Sequence, residues 1–474
     1  MTWSDQELSE FAARDNTSST MGRAGRNIRA EGRLVQLSGQ VKREPVDSTL
    51  CSKNSDGKSS NDNSSDELQD GKPAADMRHG KTGGGPIYAL DFMHFDSLLT
   101  PRERTLRGRV QNIVSRYVEH AVLPLYEAAA FDSELVEICK KFGPAGLQIK
   151  GYGCPGLTHT EAILMAVEMA RVDASFSTFY LVHCGLAMQS IAVAGTQEQK
   201  AMWLPKMSRL ECIGSFGLTE PNHGSDATGL RTSAKKVEGG WILNGQKRWI
   251  GNATFSDIVV VWARDVHSEK ILGFIVEKDF PGFSATKIEN KVSLRIVQNA
   301  DIVLKDCFVP DSHRLQHEGF SGATAQVLES SRAVVAAECV GVLLGAYDNA
   351  LKYCTERKQF GRELATFQLV QERLMRVLGM LQGVLLLVLR LGRLMDEGKP
   401  HMMAHIALAK ATCSRVAREG IALCREVLGG NGIVTDFGVA KFHADIEALY
   451  TYEGTYDINM LIAGRAVTGR SAFK

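Results

Sequence analysis

No pair of cysteines in this 474-residue chain is spaced as CxxC, although ten cysteines occur. Scattered from Cys51 to Cys424, they read as free thiols in a reducing compartment, which excludes a disulfide framework and a cysteine-built zinc site. Neither sign of charge is in excess. Against 55 Lys and Arg stand 54 Asp and Glu, a formal net charge of +1, so there is no bulk electrostatic case for binding nucleic acid or a membrane surface. Long apolar runs are missing as well. The most apolar stretch, Val384–Leu394, is broken by Arg390 and Arg393 and falls short of the ~18 residues a membrane span needs. There is no internal repeat, no P-loop and no GxGxxG. His401 and His405 have i, i+4 spacing that suits a metal ion. Without a third ligand or an HExxH context they read as structural or surface residues, and no metal is expected.

What is present is ordinary for a globular protein: 44% hydrophobic and 23% charged residues. The length allows roughly three domains of ~150 residues. Residues 1–86 read as a disordered extension, because 54–85 are rich in Ser, Asn, Asp, Gly and Lys and hold almost no large apolar side chain. Apolar residues then recur at helical spacing through 87–212, with helices predicted at Arg102–Tyr126, Ser133–Phe142, Thr160–Arg171 and Ala174–Ala192. Asp132-Ser133 is a cap for the second. Over 213–322 the pattern turns to strands, with tight-turn pairs at Gly239-Gly240 and Asn244-Gly245 and β-rich runs at 257–264, 272–278 and 300–309. The helical period returns over 323–474, with long helices near 325–353, 367–397 and 400–428 and shorter ones after Gly438 and Gly454. The class is α+β, mostly α. The order of helices, strands and helices excludes a doubly wound nucleotide fold, and the last block suggests a helix bundle.

Five short segments carry chemistry. Tyr450-Thr451-Tyr452-Glu453-Gly454-Thr455-Tyr456-Asp457-Ile458-Asn459 places one carboxylate among aromatics and beside a glycine. Aromatic walls strip water from Glu453, raising its pKa and making it a better base; Gly454 lets a ligand approach the backbone. Phe216-Gly217-Leu218-Thr219-Glu220-Pro221-Asn222-His223-Gly224-Ser225-Asp226 gathers hydroxyls and backbone amides suited to a polarised ring or carbonyl, or simply a capped turn. Trp249-Ile250-Gly251-Asn252 would otherwise be a packed strand end. Arg332 follows Ser330-Ser331 at the start of a long helix, and Arg357-Lys358-Gln359-Phe360-Gly361 ends it. Glu426-Val427-Leu428-Gly429-Gly430-Asn431-Gly432 taken alone is a helix C-cap and turn.

In this order the five segments resemble those of the acyl-CoA dehydrogenase and oxidase superfamily, over residues 87–474. The resemblance implies a helical N-terminal domain, a middle antiparallel β domain and a C-terminal four-helix bundle, assembled as a homotetramer that binds FAD. It implies Glu453 as catalytic base. Flavin contacts would come from Phe216, Leu218, Thr219, Trp249, Ile250, Gly251, Gln368, Thr455 and Phe473. Arg357 would pair with the flavin pyrophosphate of a neighbouring subunit, and Glu426, Val427, Leu428, Gly429 and Gly430 would receive the adenine half across the interface. Ser225, Arg332 and Gly454 would face the acyl-CoA substrate. The carbonyl of the thioester would be held by the Glu453 amide and a ribityl hydroxyl.

Within the superfamily the sequence is most similar to the plant peroxisomal short-chain oxidase branch, through the Trp-Ile-Gly-Asn form and Ser177-Thr178-Phe179. Gly151-Tyr152-Gly153-Cys154 and Gly464-Arg465-Ala466-Val467-Thr468-Gly469 are similar to the glutaryl-CoA dehydrogenase branch. That branch has an Arg for the distal carboxylate where this chain has Ser177, which implies a monocarboxylyl substrate. The dehydrogenase branch has Thr where Gly251 stands, and a void there is expected to admit dioxygen. The main expectation is therefore an oxidase that forms trans-2-enoyl-CoA and hydrogen peroxide from short-chain acyl-CoA and O2. The alternative is a dehydrogenase that passes electrons to an electron-transfer flavoprotein. A third reading, a flavin-free binding scaffold, is opposed by Glu453, Arg357 and Thr219 together. Arg33–Val41 resembles an N-terminal type-2 peroxisomal signal, and Asp5, Glu7, Glu10 and Asp15 argue against a mitochondrial transit peptide, the alternative address. The last three residues, Ala472-Phe473-Lys474, are not Ser-Lys-Leu.

Overall fold

A computed structural model describes residues 91–316, 322 and 324–472. The expected extension, the Arg33–Val41 signal and Phe473 lie outside the described residues. Three helices in the first block open on the same device. Thr100, Thr158 and Thr196 each accept a hydrogen bond from the third helical amide, while Glu103, Glu161 and Gln199 reach back to the cap amide. Each box satisfies two amides that a helix N-terminus leaves open. The helices are α1 (Pro101–Ile113), α2 (Val122–Ala128), α3 (Glu134–Lys140), α4 (His159–Val172), α5 (Ala174–Leu181), α6 (Gln189–Ala194) and α7 (Gln197–Ser208).

The predicted helix Arg102–Tyr126 is thus two helices, joined by a wide π-helical segment at Val114–Val118. Pro124 explains the restart. It has no N–H to donate, so it is tolerated only in a first turn, and α2 begins two residues before it. The predicted Ala174–Ala192 is likewise α5 and α6 with a π-helical segment, Val182–Met188, between them. Asp132 caps α3 as expected, accepting from the Glu134 amide at 2.8 Å.

Seven strands form one sheet: β1 (Gly214–Gly217), β2 (Ser233–Val237), β3 (Gly240–Ile250), β4 (Ile258–Asp265), β5 (Ile271–Glu277), β6 (Phe283–Lys287) and β7 (Ala300–Pro310). Their order is β1-β4-β2-β3-β7-β6, with β5 on β4. Four pairings are antiparallel, but β1 and β2 both run parallel to β4. Accordingly β4 opens with an uninterrupted buried apolar run, Ile258–Trp262, as a strand covered on both faces requires. The Glu238-Gly239 turn joins β2 to β3, near the expected pair. Asn244-Gly245 is not a turn. It is a bulge inside β3, where the register against β7 shifts. Gly245, at φ 152°, passes so close to Thr232 that a β-carbon would lie 2.6 Å from Thr232 Cα.

The last block is α8 (Ala325–Glu356), α9 (Gln368–Asp396), α10 (Met402–Val427), α11 (Val439–Thr451) and α12 (Tyr456–Thr468). Between α8 and α9 the strands β8 (Lys358–Gln359) and β9 (Arg362–Glu363) turn at Phe360-Gly361, both at positive φ. α8 is the axis, packed against α4, α9 and α10. It approaches α4 closely because Gly341 and Gly345 carry no side chain; a β-carbon on either would run into the Val167 or Arg171 carbonyl. Two segments, Ala174–Ala194 and Gln368–Asp396, are long and apolar enough by composition to cross a membrane, yet 78% and 56% of their apolar windows are buried inside the fold.

A buried charge cluster ties the blocks together. Lys441 of α11 pairs with Asp173, the N-cap of α5, and lies 2.9 Å from Asp445 Oδ2. Asp445 Oδ1 in turn accepts from the Leu294 amide at 2.6 Å, in the segment between β6 and β7. Replacing Lys441 with Met would leave two carboxylates facing each other out of water. The expected loss is about 3–5 kcal/mol, read as a lower midpoint in urea unfolding; an unchanged midpoint would refute the cluster's role.

Candidate active site

Glu453 sits in the turn between α11 and α12, and its backbone is left-handed at φ 54°. Such a conformation is strained for a glutamate and persists only where the surroundings hold it. Here the carbonyls are clamped. Arg332 Nε donates to the Glu453 carbonyl at 3.0 Å. The Gly454 carbonyl accepts from Lys410 Nζ at 2.7 Å and from Asn459 Nδ2 at 2.8 Å. Gly454 itself is at φ 83°, and a β-carbon there would meet Asn459 Nδ2 at 2.9 Å. Thr455 caps α12 by accepting from the Ile458 amide at 3.2 Å.

Glu453 is half-buried, and its Oε2 accepts from Ser331 Oγ at 2.8 Å. Burial pushes its pKa up, while Arg332, the Ser331 hydroxyl and Lys410 oppose the rise. The direction matches the expectation, but its origin differs in part. Tyr450 and Tyr456 stack on each other, 5.6 Å apart, and Tyr452 hydrogen-bonds Glu338, so packing between α8 and α10 helps to dry the carboxyl. Arg332, Glu453 and Gly454 are therefore brought together as expected. Ser331, Lys410 and Asn459 were not anticipated. Asn459 lies within the quoted motif; Lys410 is a lone lysine in the apolar face of α10, the one sign that sequence reasoning had to offer.

Phe216, Leu218 and Thr219 lie on β1 and just after it. Glu220, also unanticipated, fixes this segment. Its carboxylate accepts from Lys247 Nζ at 2.8 Å and from the Arg231 and Thr232 amides at 2.7 and 2.8 Å. Burial alone would raise its pKa, but the Lys247 ammonium and these donors hold it at about 2. Phe216 and Leu218 are buried, while the Thr219 hydroxyl has no hydrogen-bond partner among the described residues. Next to this segment, the Arg248 amide donates to the Thr219 carbonyl at 2.9 Å. Trp249 follows at φ 65° and is 51% exposed. Ile250 and Gly251 are buried behind it, and Asn252 Nδ2 fastens the turn to the Phe179 carbonyl at 3.1 Å. Ser225 is exposed.

The void expected at Gly251 is absent. A β-carbon there would lie 3.2 Å from Val182 Cγ2 and 3.7 Å from Val297 Cγ1. The valine from the π-helical segment fills the space that the glycine leaves.

The remaining expected residues lie elsewhere. Arg357 is the C-cap of α8 and is exposed, as is Gln368 at the start of α9. Glu426 is ion-paired with Arg373 at 2.7 Å. Leu428 is buried, Val427 partly so, and Gly429 and Gly430 are exposed in the turn that follows α10. Arg332 and Arg357 are 25 residues apart on one continuous helix, roughly 37 Å at ~1.5 Å per residue. His401 and His405 are exposed, and no group of three metal-binding side chains occurs among the described residues. All nine described cysteines are unpaired.

Known proteins are similar to this chain along most of its length. Models of the N-terminal, middle and C-terminal domains of acyl-CoA dehydrogenase match residues 100–211, 215–307 and 317–468. The chain is 32% identical over 322 residues to the mitochondrial isovaleryl-CoA dehydrogenase of Arabidopsis thaliana, covering 66% of this chain and 78% of that protein. It is 30% identical over 382 residues to the mitochondrial isovaleryl-CoA dehydrogenase of Pongo abelii, covering 78% and 89%. Among solved structures, a Mycobacterium smegmatis glutaryl-CoA dehydrogenase in complex with FADH2 superimposes with a TM-score of 0.79 at 34% identity, covering 82% of this chain and 100% of that one. The chain belongs to the acyl-CoA dehydrogenase family.

Proposed function

We propose that this chain is an FAD-dependent acyl-CoA dehydrogenase acting on short, uncharged acyl thioesters, with Glu453 as its base. The observation that carries the reading is the half-buried Glu453 carboxyl, held by Ser331 on a turn whose carbonyls are clamped by Arg332, Lys410 and Asn459. The domain divisions that go with it are 87–212, 213–322 and 323–474, after an extension over 1–86.

FAD fits the residues present. Half-exposed Trp249 offers a flat apolar face, and beside it the Thr219 hydroxyl is left without a partner for a polar edge. Bound FAD supplies the acceptor for the electron pair that leaves the β-carbon as hydride. The chain's own part is the α-proton. Glu453 takes it, and the C–H electron pair moves into the new α,β double bond of a trans-2-enoyl-CoA. Negative charge grows on the thioester oxygen meanwhile and needs donors. The Glu453 amide donates to no group among the described residues and suits that task. The base works as carboxylate, so kcat/KM falls as pH drops through the raised pKa of Glu453.

The acceptor reading departs from the sequence expectation. The oxidase expectation rests mainly on resemblance to the plant oxidase branch and in part on empty space at Gly251, and Val182 occupies that space. Two relatives are named isovaleryl-CoA dehydrogenase, which supports transfer to an electron-transfer flavoprotein over transfer to dioxygen. Those relatives are also named mitochondrial, which favours that address over the peroxisome. For the acyl tail, Ser177 Oγ donates at 2.6 Å to the buried Glu338 carboxyl. A distal carboxylate at that position would meet another carboxyl, not a cation.

The distance from Arg332 to Arg357 supports a second copy in each flavin site. Exposed apolar side chains lie near the far residues, among them Phe360, Leu369 and Ile433, and suit the interface of a homotetramer.

Three outcomes test this reading. Glu453→Gln keeps FAD and binds acyl-CoA but loses ~10²–10⁴-fold in kcat; a variant above a tenth of the wild-type rate refutes the base. Butyryl- or isovaleryl-CoA is oxidised with electron-transfer flavoprotein or an artificial acceptor, with little peroxide in air alone, and glutaryl-CoA is used at least about tenfold less well because its tail carboxylate would be buried unpaired. Stoichiometric peroxide in air restores the oxidase. Arg357→Ala weakens FAD retention by about 1.5–3 kcal/mol, read as a lower flavin-to-protein ratio after dialysis; full retention argues against a flavin contact.

A further inference from the structure

α8 carries a second carboxyl that the reaction above does not use. Glu338 lies inside the apolar run Ala333–Leu344 and is fully buried. A glutamate placed there is costly unless its oxygens are satisfied. Both are, and by hydroxyls. Ser177 Oγ of α5 donates to Oε1 at 2.6 Å, and Tyr452 Oη donates to Oε2 at 2.9 Å. Thr178 Oγ1 lies 3.3 Å from the same phenol oxygen. Burial pushes the Glu338 pKa up to about 7, the two hydroxyl bonds oppose the rise, and the nearby Glu453 carboxylate adds to it.

Tyr452 is the residue before Glu453. The strained turn at Glu453 is held from its C-terminal side by the clamps on the Glu453 and Gly454 carbonyls. On its N-terminal side, the side-chain hydrogen bonds of Tyr452 run to Glu338 and Thr178. Glu338 and Ser331, which holds the base carboxyl itself, are two turns apart on the same helix. One rigid helix thus grips the base at three points, directly through Ser331 and Arg332 and indirectly, through Glu338, at Tyr452.

We propose that Glu338 is a positioning residue for the base: by holding the Tyr452 phenol it fixes the N-terminal arm of the Glu453 turn and so aims the carboxyl at the α-proton. The inference rests on Glu453 being the base. Its effect belongs in kcat, because substrate affinity does not require the last fraction of an ångström while proton transfer does.

The test uses the FAD-loaded enzyme with butyryl-CoA and an artificial acceptor. Glu338→Leu should lower kcat at least about tenfold, with KM within roughly threefold of wild type. Glu338→Gln keeps an acceptor for one hydroxyl and should recover most of that loss. Combined with Tyr452→Phe, Glu338→Leu should lose no more than the worse single variant, since both break one link. Wild-type kcat in Glu338→Leu overturns the proposal, as does a loss confined to KM, or losses that multiply in the double variant. Should Glu338→Leu fail to fold, Tyr452→Phe decides: lowered kcat at unchanged KM supports the link, and unchanged kcat refutes it. An active Glu453→Gln would sink the base assignment itself, whereas an inactive Glu453→Gln beside a fully active Glu338→Leu removes only the positioning role.

Discussion

The rest of the site depends on one buried ammonium. Lys441 joins Asp173 at the head of α5 to Asp445 on its own helix, and Asp445 holds the Leu294 amide from the sheet's long connection. Burial by itself would drive the lysine to lose its proton, but the two carboxylates win and keep it charged. An ion cluster of this kind adds little net stability compared with apolar packing, yet its partners cannot be separated without stranding a charge. Its value is geometric. α5 carries Ser177 and Thr178, α11 is capped by Tyr452, and the Leu294 segment leads into the sheet whose β3 carries Trp249 just before its last residue, Ile250. Fixing these three against one another sets the walls of the site before any substrate arrives.

From there the same logic repeats on a smaller scale. The turn at Glu453 makes few regular backbone hydrogen bonds, so its carbonyls are satisfied by side chains. Lys410, Asn459 and Arg332 do for this turn what a strand partner would do elsewhere. Two of these are cations, and they sit against backbone oxygens while also favouring charge on the nearby carboxyl. The clamps therefore serve two purposes at once. They hold a strained φ, and they keep the base pKa from rising as far as burial alone would take it. In the sheet, Lys247 plays the same part, donating to the Leu218 carbonyl at 3.1 Å with Glu220 as its counter-ion.

How much of this was legible follows from how local each signal is. The helices of the last block match their predicted extents to within a few residues, because an apolar stripe is a property of the helix itself. The Glu453 turn was legible as a local structure because its carboxylate, glycine and capping threonine are contiguous. Asn244-Gly245 misled because the pair means a turn only when the strand ends there; Thr232, from another strand, makes it a bulge instead. β1 was hidden because four residues have no usable period, and its parallel pairing to β4 is a long-range fact. The void at Gly251 failed for the same reason: Val182 lies 69 residues away in sequence, and nothing near the glycine announces it. Glu338 and Lys410 left a trace, each a charge within an apolar helical face, but a trace of burial does not name its partners.

α8 imposes a last constraint that no local motif contains. Its 32 residues form one uninterrupted helix, with Arg332 near one end and Arg357 capping the other. A rigid rod of this length cannot bend to bring both arginines to one flavin. Glu453 belongs to one end, through Ser331 and Arg332; the exposed cap, the hairpin at Phe360 and, through the bond of Asn431 to Tyr353, the glycine turn after α10 belong to the other. If both ends serve a flavin, they serve two different ones. Assembly would then be part of the chemistry and not an addition to it, because a single chain would hold the reacting end of one cofactor and offer the anchoring end to its neighbour's.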